Sequence, residues 1–100
     1  MGASNIEFKL PKSKFPTEQS VMKWYNEAVQ EATLEYGRDA YNGTISTTRG
    51  ITFFYPAFDN EEKANEFVLE RSEKWGKMAA VLLEEEGKPT YWFIGGWAAS

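Results

Sequence analysis

Met22, Tyr25, Val29, Ala32 and Tyr36 recur every three or four residues, and that spacing puts all five on one side of an α-helix. A helix with one apolar side must bury it against another element. Just upstream, Ile6, Phe8 and Leu10 alternate with Glu7 and Lys9, the period-two pattern of a strand with one buried face. The chain is therefore held to helices packed on a sheet. Its 100 residues make one domain spanning positions 1–100.

Pro11 ends the first strand, and residues 12–16 form a loop. Thr17 stands as N-cap, with Glu18 in the first turn where the helix dipole favours negative charge. Val21 and Ala28 widen the apolar stripe, and Lys23 can pair with Glu27 one turn on. Trp24 lies at the stripe's edge, Leu34 points away from it, and Gly37 suits the left-handed C-terminal position.

Asn42-Gly43 predicts a turn and the β-branched run 44–48 a strand. Arg49-Gly50 would join it as a hairpin to a strand over 51–55, which Pro56 stops. Asp59 with Glu62 predicts a capping box for a second helix. Ala64, Phe67, Val68 and Trp75 form its apolar face, the stem of Arg71 covers apolar surface, and Gly76 ends it. Residues 78–83 are apolar without alternation, as in a strand buried on both faces. A polar turn over 84–89 leads to a last strand over 90–94, and Gly95-Gly96 loosen the chain before Trp97.

The order β-α-β-β-α-β-β contains the ferredoxin-like β-α-β-β-α-β unit plus one C-terminal strand. That α+β arrangement predicts an antiparallel sheet with two helices on one face. The opposite face is then open to a partner or to a second copy.

The chain has no cysteine and no histidine. This excludes disulfides, thiolate zinc sites, imidazole ligands and histidine-based triads. The net charge of −4 argues against broad attraction to nucleic acid or to an anionic membrane. No signal-peptide pattern opens the chain and no apolar run is long enough for a membrane span, so the expected compartment is the cytoplasm. No cofactor and no metal is expected, and a non-enzymatic role fits the missing acid–base groups.

Arg38, Tyr41, Asn42, Thr44, Ser46, Thr48 and Arg49 bring hydroxyls, an amide and two guanidinium groups into a short stretch. Such groups recognise phosphate or carboxylate, which points to a nucleotide or other anionic small ligand held or sequestered by segment 41–49. The bland reading of the same residues is a threonine-rich edge hairpin, and no phosphate-loop or dinucleotide fingerprint is present.

Tyr36-Gly37 followed by Tyr41-Asn42-Gly43-Thr44-Ile45-Ser46-Thr47 resembles the YG…Y-x-GTI segment of small uncharacterised proteins from tailed phages and related mobile elements. The resemblance covers between a tenth and a fifth of the chain. It implies a small accessory or inhibitor protein acting in the host cytoplasm, where it binds a host factor or a nucleotide signal.

Two surfaces remain. Glu61, Glu62, Glu66, Glu70 and Glu73, with the run 84–86, give the acidic face a nucleic-acid mimic needs, although Lys63, Arg71, Lys74 and Lys77 partly cancel it. The chain also carries 4 Trp, 5 Tyr and 7 Phe, and strand alternation lets only some of these rings face the helices. Trp24, Phe54, Tyr91, Trp92, Phe93 and Trp97 are thus the expected protein interface, for a protein partner or for a homo-oligomer. Base stacking on such a face is disfavoured by the charge and by the lack of a basic aromatic motif on a central strand.

Overall fold

The structure is a computed structural model that describes residues 3–36, 48–72 and 76–99. The described elements are β1 (Ala3–Pro11), α1 (Glu18–Tyr36), β2 (Ile51–Phe58), α2 (Glu61–Arg71), β3 (Met78–Glu85) and β4 (Lys88–Ala99). One four-stranded sheet holds them together in the order β1-β4-β3-β2. β4 pairs antiparallel with both β1 and β3, whereas β2 pairs parallel with β3. Three strands thus share a direction, and β4 runs against them in the interior.

This topology fixes where the helices go. The β1-α1-β2 connection crosses the whole sheet, and β2-α2-β3 steps back by one strand. Crossovers between parallel strands are right-handed almost without exception, so two that travel in opposite directions place their helices on opposite faces. The burial pattern agrees. Met78, Ala80, Trp92, Ile94 and Leu10 pack with Val21, Tyr25 and Ala32 of α1. Ala79, Val81, Leu83 and Phe93 pack with Ala64 and Val68 of α2. Alternate residues of β3 therefore feed two separate cores.

The α+β composition expected from the sequence stands, but its finer form is corrected. The sheet is mixed rather than antiparallel, its order is not the ferredoxin-like one, and the helices lie on both faces instead of one. The expected strand over 44–48 lies outside the described residues except for Thr48, which is not in a strand. Arg49 and Gly50 run beside the start of β3: the Arg49 N–H donates to Gly76 O at 2.9 Å and the Met78 N–H to Gly50 O at 2.8 Å. Gly50, with φ at +128°, takes a backbone that side-chain-bearing residues avoid.

Local signals explain the element ends. Thr17 caps α1 reciprocally: Ser20 N–H donates to Thr17 Oγ1 at 3.2 Å, and Thr17 N–H to Ser20 Oγ at 3.1 Å. The cap of α2 is Asn60, not Asp59, because Asn60 Oδ1 accepts from the N–H groups of Glu62 and Lys63. Gly37, expected at the end of α1, and Trp75, expected on the apolar face of α2, lie outside the described residues; α2 ends at Arg71 with Ser72 as its C-cap, ahead of the expected Gly76. Arg71 does cover apolar surface, its guanidinium lying 4.7 Å from the Phe67 ring centre. β2 continues through Pro56 with a register shift between Phe53 and Ala57. An edge strand tolerates proline, and the irregularity blunts its pairing with other chains. β4 likewise continues through Gly95 and Gly96. At Gly95 a Cβ would lie 2.8 Å from Val68 Cγ2, so the missing side chain is what lets α2 settle onto the sheet. Among the described residues, no helix is long and apolar enough to cross a membrane.

Candidate functional site

β1 ends at Pro11, and the chain turns tightly there because Pro11 O accepts the N–H groups of Lys14 at 3.1 Å and Phe15 at 3.0 Å. The Lys12 N–H donates to Thr90 O at 2.9 Å, tying the loop to β4. The buried indole of Trp92 donates from Nε1 to Phe15 O at 2.8 Å. These bonds fix one bank of a groove, formed by Lys14 and Phe15. The other bank is the first half of α1, where Ser20, Lys23, Trp24 and Glu27 follow a helical face at spacings of three, one and three. The groove has a volume of about 330 Å³ and is open to solvent.

Trp24 gives the groove its chemistry. Its ring packs edge-on against Phe8, with centroids 5.1 Å apart and planes at 67°, so its position is set by the strand beneath it. It is half-buried, packed against the core beneath α1. Lys14 and Lys23 are exposed, and among the described residues neither has a carboxylate within ion-pair distance. The expected Lys23–Glu27 pair is therefore not formed. A fixed aromatic edge, a second ring and two unneutralised ammonium groups can hold an apolar group next to negative charge.

Across the sheet, Lys9 Nζ bonds Glu61 Oε1 at 2.9 Å and lies 4.5 Å from the Tyr91 ring centre. The hydrogen bond to Glu61 holds the pKa of the Lys9 ammonium above the ordinary value of 10.5, outweighing the opposing effect of burial. Asp59, Leu83, Glu84 and Glu85 complete a cavity of about 100 Å³ there. A neighbouring cleft of about 170 Å³ is lined by Glu7, Glu61, Glu62, Asn65 and Phe93. Among the described residues, no cluster of acids, histidines or cysteines could hold a metal ion.

The expected interface residues do not share one surface. Trp92 and Phe93 are each only 3% exposed and belong to opposite cores, so, contrary to expectation, neither ring is accessible to a partner. Phe54 packs edge-on against Phe67 at 5.6 Å, and Tyr91 lies half-buried beneath Lys9. Trp97 is half-buried where β4 meets the start of β1. Trp24 alone of the set lines the larger groove. Of the expected anion-binding residues, Arg38, Tyr41, Asn42, Thr44 and Ser46 lie outside the described residues. Thr48 is buried with its hydroxyl 2.7 Å from Tyr25 Oη, whereas Arg49 is exposed; these two do not converge on a shared surface.

Lys14, Phe15, Ser20 and Lys23 were not legible as a site from the sequence. Their signal is weak: a Lys-Ser-Lys-Phe-Pro loop beside a tryptophan at the edge of a helical stripe. Comparison with family models, with curated proteins and with solved structures gave no significant match.

Proposed function

We propose that this chain is a small non-enzymatic binding protein that contacts a protein partner through the groove around Trp24. The observation that supports this most is the indole itself: half-buried, braced by Phe8 at 5.1 Å, and lining an open groove of about 330 Å³. Aromatic anchors already held in place lose little freedom on binding, and tryptophan is among the residues that dominate interface energies. The contact surface is thereby moved from the aromatic sheet face, which α1 and α2 cover, to the entrance of α1. The resemblance of segment 36–47 to tailed-phage proteins fits an accessory or inhibitor role toward a host protein.

A peptide-display selection against the folded protein tests this. Selected peptides should lose at least about tenfold in affinity when Trp24 is changed to Ala, as expected for a central aromatic anchor. Circular dichroism should show the variant still folded. Binders indifferent to Trp24, or a selection that yields none, would count against a binding role for the groove.

A further inference from the structure

We infer that the groove's occupant is an acidic chain segment of another protein carrying a bulky apolar residue. This rests on the groove being a binding surface and names the chemistry of what it binds. The first observation is charge. The chain carries a net −4, and among the described residues Lys9 pairs with Glu61 and Arg71 with Glu70. In the groove Lys14 and Lys23 stand without a carboxylate partner among the described residues, and Glu27 is the only acid in the lining. An acidic protein thus keeps a local positive lip, and carboxylates on the occupant complement it.

The second observation is shape. From Ser20 to Glu27 the helical bank advances seven residues, about 10 Å, and the groove beside it is open to solvent. A compact small ligand is normally enclosed over most of its surface, which this groove cannot do. A chain segment can instead lie along α1 and extend beyond the groove into solvent. Phe15 and Trp24 then receive one large apolar side chain, while acidic residues on either side meet Lys14 and Lys23.

Isothermal titration with the full chain and capped probe peptides of about eight residues, roughly 26 Å when extended, decides the matter. One probe alternates Asp and Glu around a central Leu-Trp pair. A second replaces every carboxylate by its amide, a third replaces Leu-Trp by Ala-Ala, and ATP serves as the small anion. The first probe should bind, with the second and third each at least about tenfold weaker. Raising salt from about 50 mM to about 500 mM should weaken the first probe and leave the amide probe unchanged, since screening acts on the charges. The surface variant Lys14→Glu/Lys23→Glu should lose the acidic probe by at least about tenfold and gain a lysine-for-carboxylate counterpart.

Equal binding of the acidic and amide probes, both weakened by Trp24→Ala, would overturn the acidic assignment and leave the groove as a binding surface. Indifference of every probe to Trp24→Ala would overturn both. Binding of ATP with no binding of any peptide would overturn the inference in favour of a small anion. Self-association that disappears in the Lys14→Glu/Lys23→Glu variant would overturn it in favour of a second copy of this chain.

Discussion

The hydroxyls of Tyr25 and Thr48 lie 2.7 Å apart in the buried interior, joining the middle of α1 to the residues that lead into β2. Both residues are more than nine-tenths buried, and Thr48 is engaged elsewhere as well. A buried hydroxyl that loses its partner costs more than the bond contributes net, because its desolvation is no longer offset. Tyr25→Phe should therefore destabilise the domain by about 1–2 kcal/mol, read as a drop in Tm of roughly 4–8 °C per kcal/mol for a chain of this size. Thr48→Val should cost at least as much. The double variant should fall short of the sum by about 0.5 kcal/mol or more, and strict additivity in urea unfolding would show that the two hydroxyls do not act together.

The close seat of α2 on the sheet depends on Gly95. A methyl group there would lie 2.8 Å from Val68 Cγ2, and Val68 is fully buried. Overpacking of this kind costs about 1–3 kcal/mol. Gly95→Ala should be destabilised by that amount, and adding Val68→Ala should recover part of the loss by emptying the space the new methyl needs. A double variant no better than the sum of the singles would contradict this account of the packing.

The β3–β4 hairpin turns on Glu86 and Gly87, whose φ angles are +54° and +77°, with Glu85 paired to Lys88 across the turn. Two consecutive left-handed residues define the turn that Asn-Gly makes best. Glutamate enters that region at a cost of about 1–2 kcal/mol. Glu86→Asn should raise stability by about 0.5–1 kcal/mol, seen as a higher urea midpoint with an unchanged slope. A neutral or lower midpoint would mean that the turn is not limiting.

These tests also separate what was legible in the sequence from what was not. The alternation of Ile6, Phe8 and Leu10, the stripe on α1 and the Thr17 cap are local patterns, and local patterns survive into the fold. The placement of the helices is not local. Residues 78–83, apolar at every position, already required cover on both faces of the sheet, since a strand with one wet face alternates. The order of elements suggested a familiar one-sided arrangement and outweighed that requirement. The parallel β2–β3 pairing, which sends α2 to the second face, depends on strand order and leaves no mark in either strand alone. The Trp24 groove was illegible for the same reason, because Lys14 and Phe15 reach α1 only through the turn at Pro11 and the bond from Trp92.

The Lys9–Glu61 pair links β1 to the start of α2 at 2.9 Å. Both partners are well exposed, so Lys9→Met should cost no more than about 1 kcal/mol, and less in high salt. Glu61 raises the pKa of Lys9 above 10.5. A raised lysine contributes stability that is complete below its unfolded value and disappears as pH climbs through its folded value. The difference between the parent protein and Lys9→Met should thus hold across neutral pH and shrink only above pH 10.5. A difference that vanishes below pH 9 or so would assign the effect to another group.

The location of the binding surface is tested most directly by an assigned amide NMR titration of the full chain with a peptide obtained by display selection. Shifts should gather in residues 14–27, around Lys14, Phe15, Lys23 and Trp24, while residues 61–72 and 93–97 stay still. Shifts centred on α2 and the end of β4, with 14–27 silent, would contradict the account.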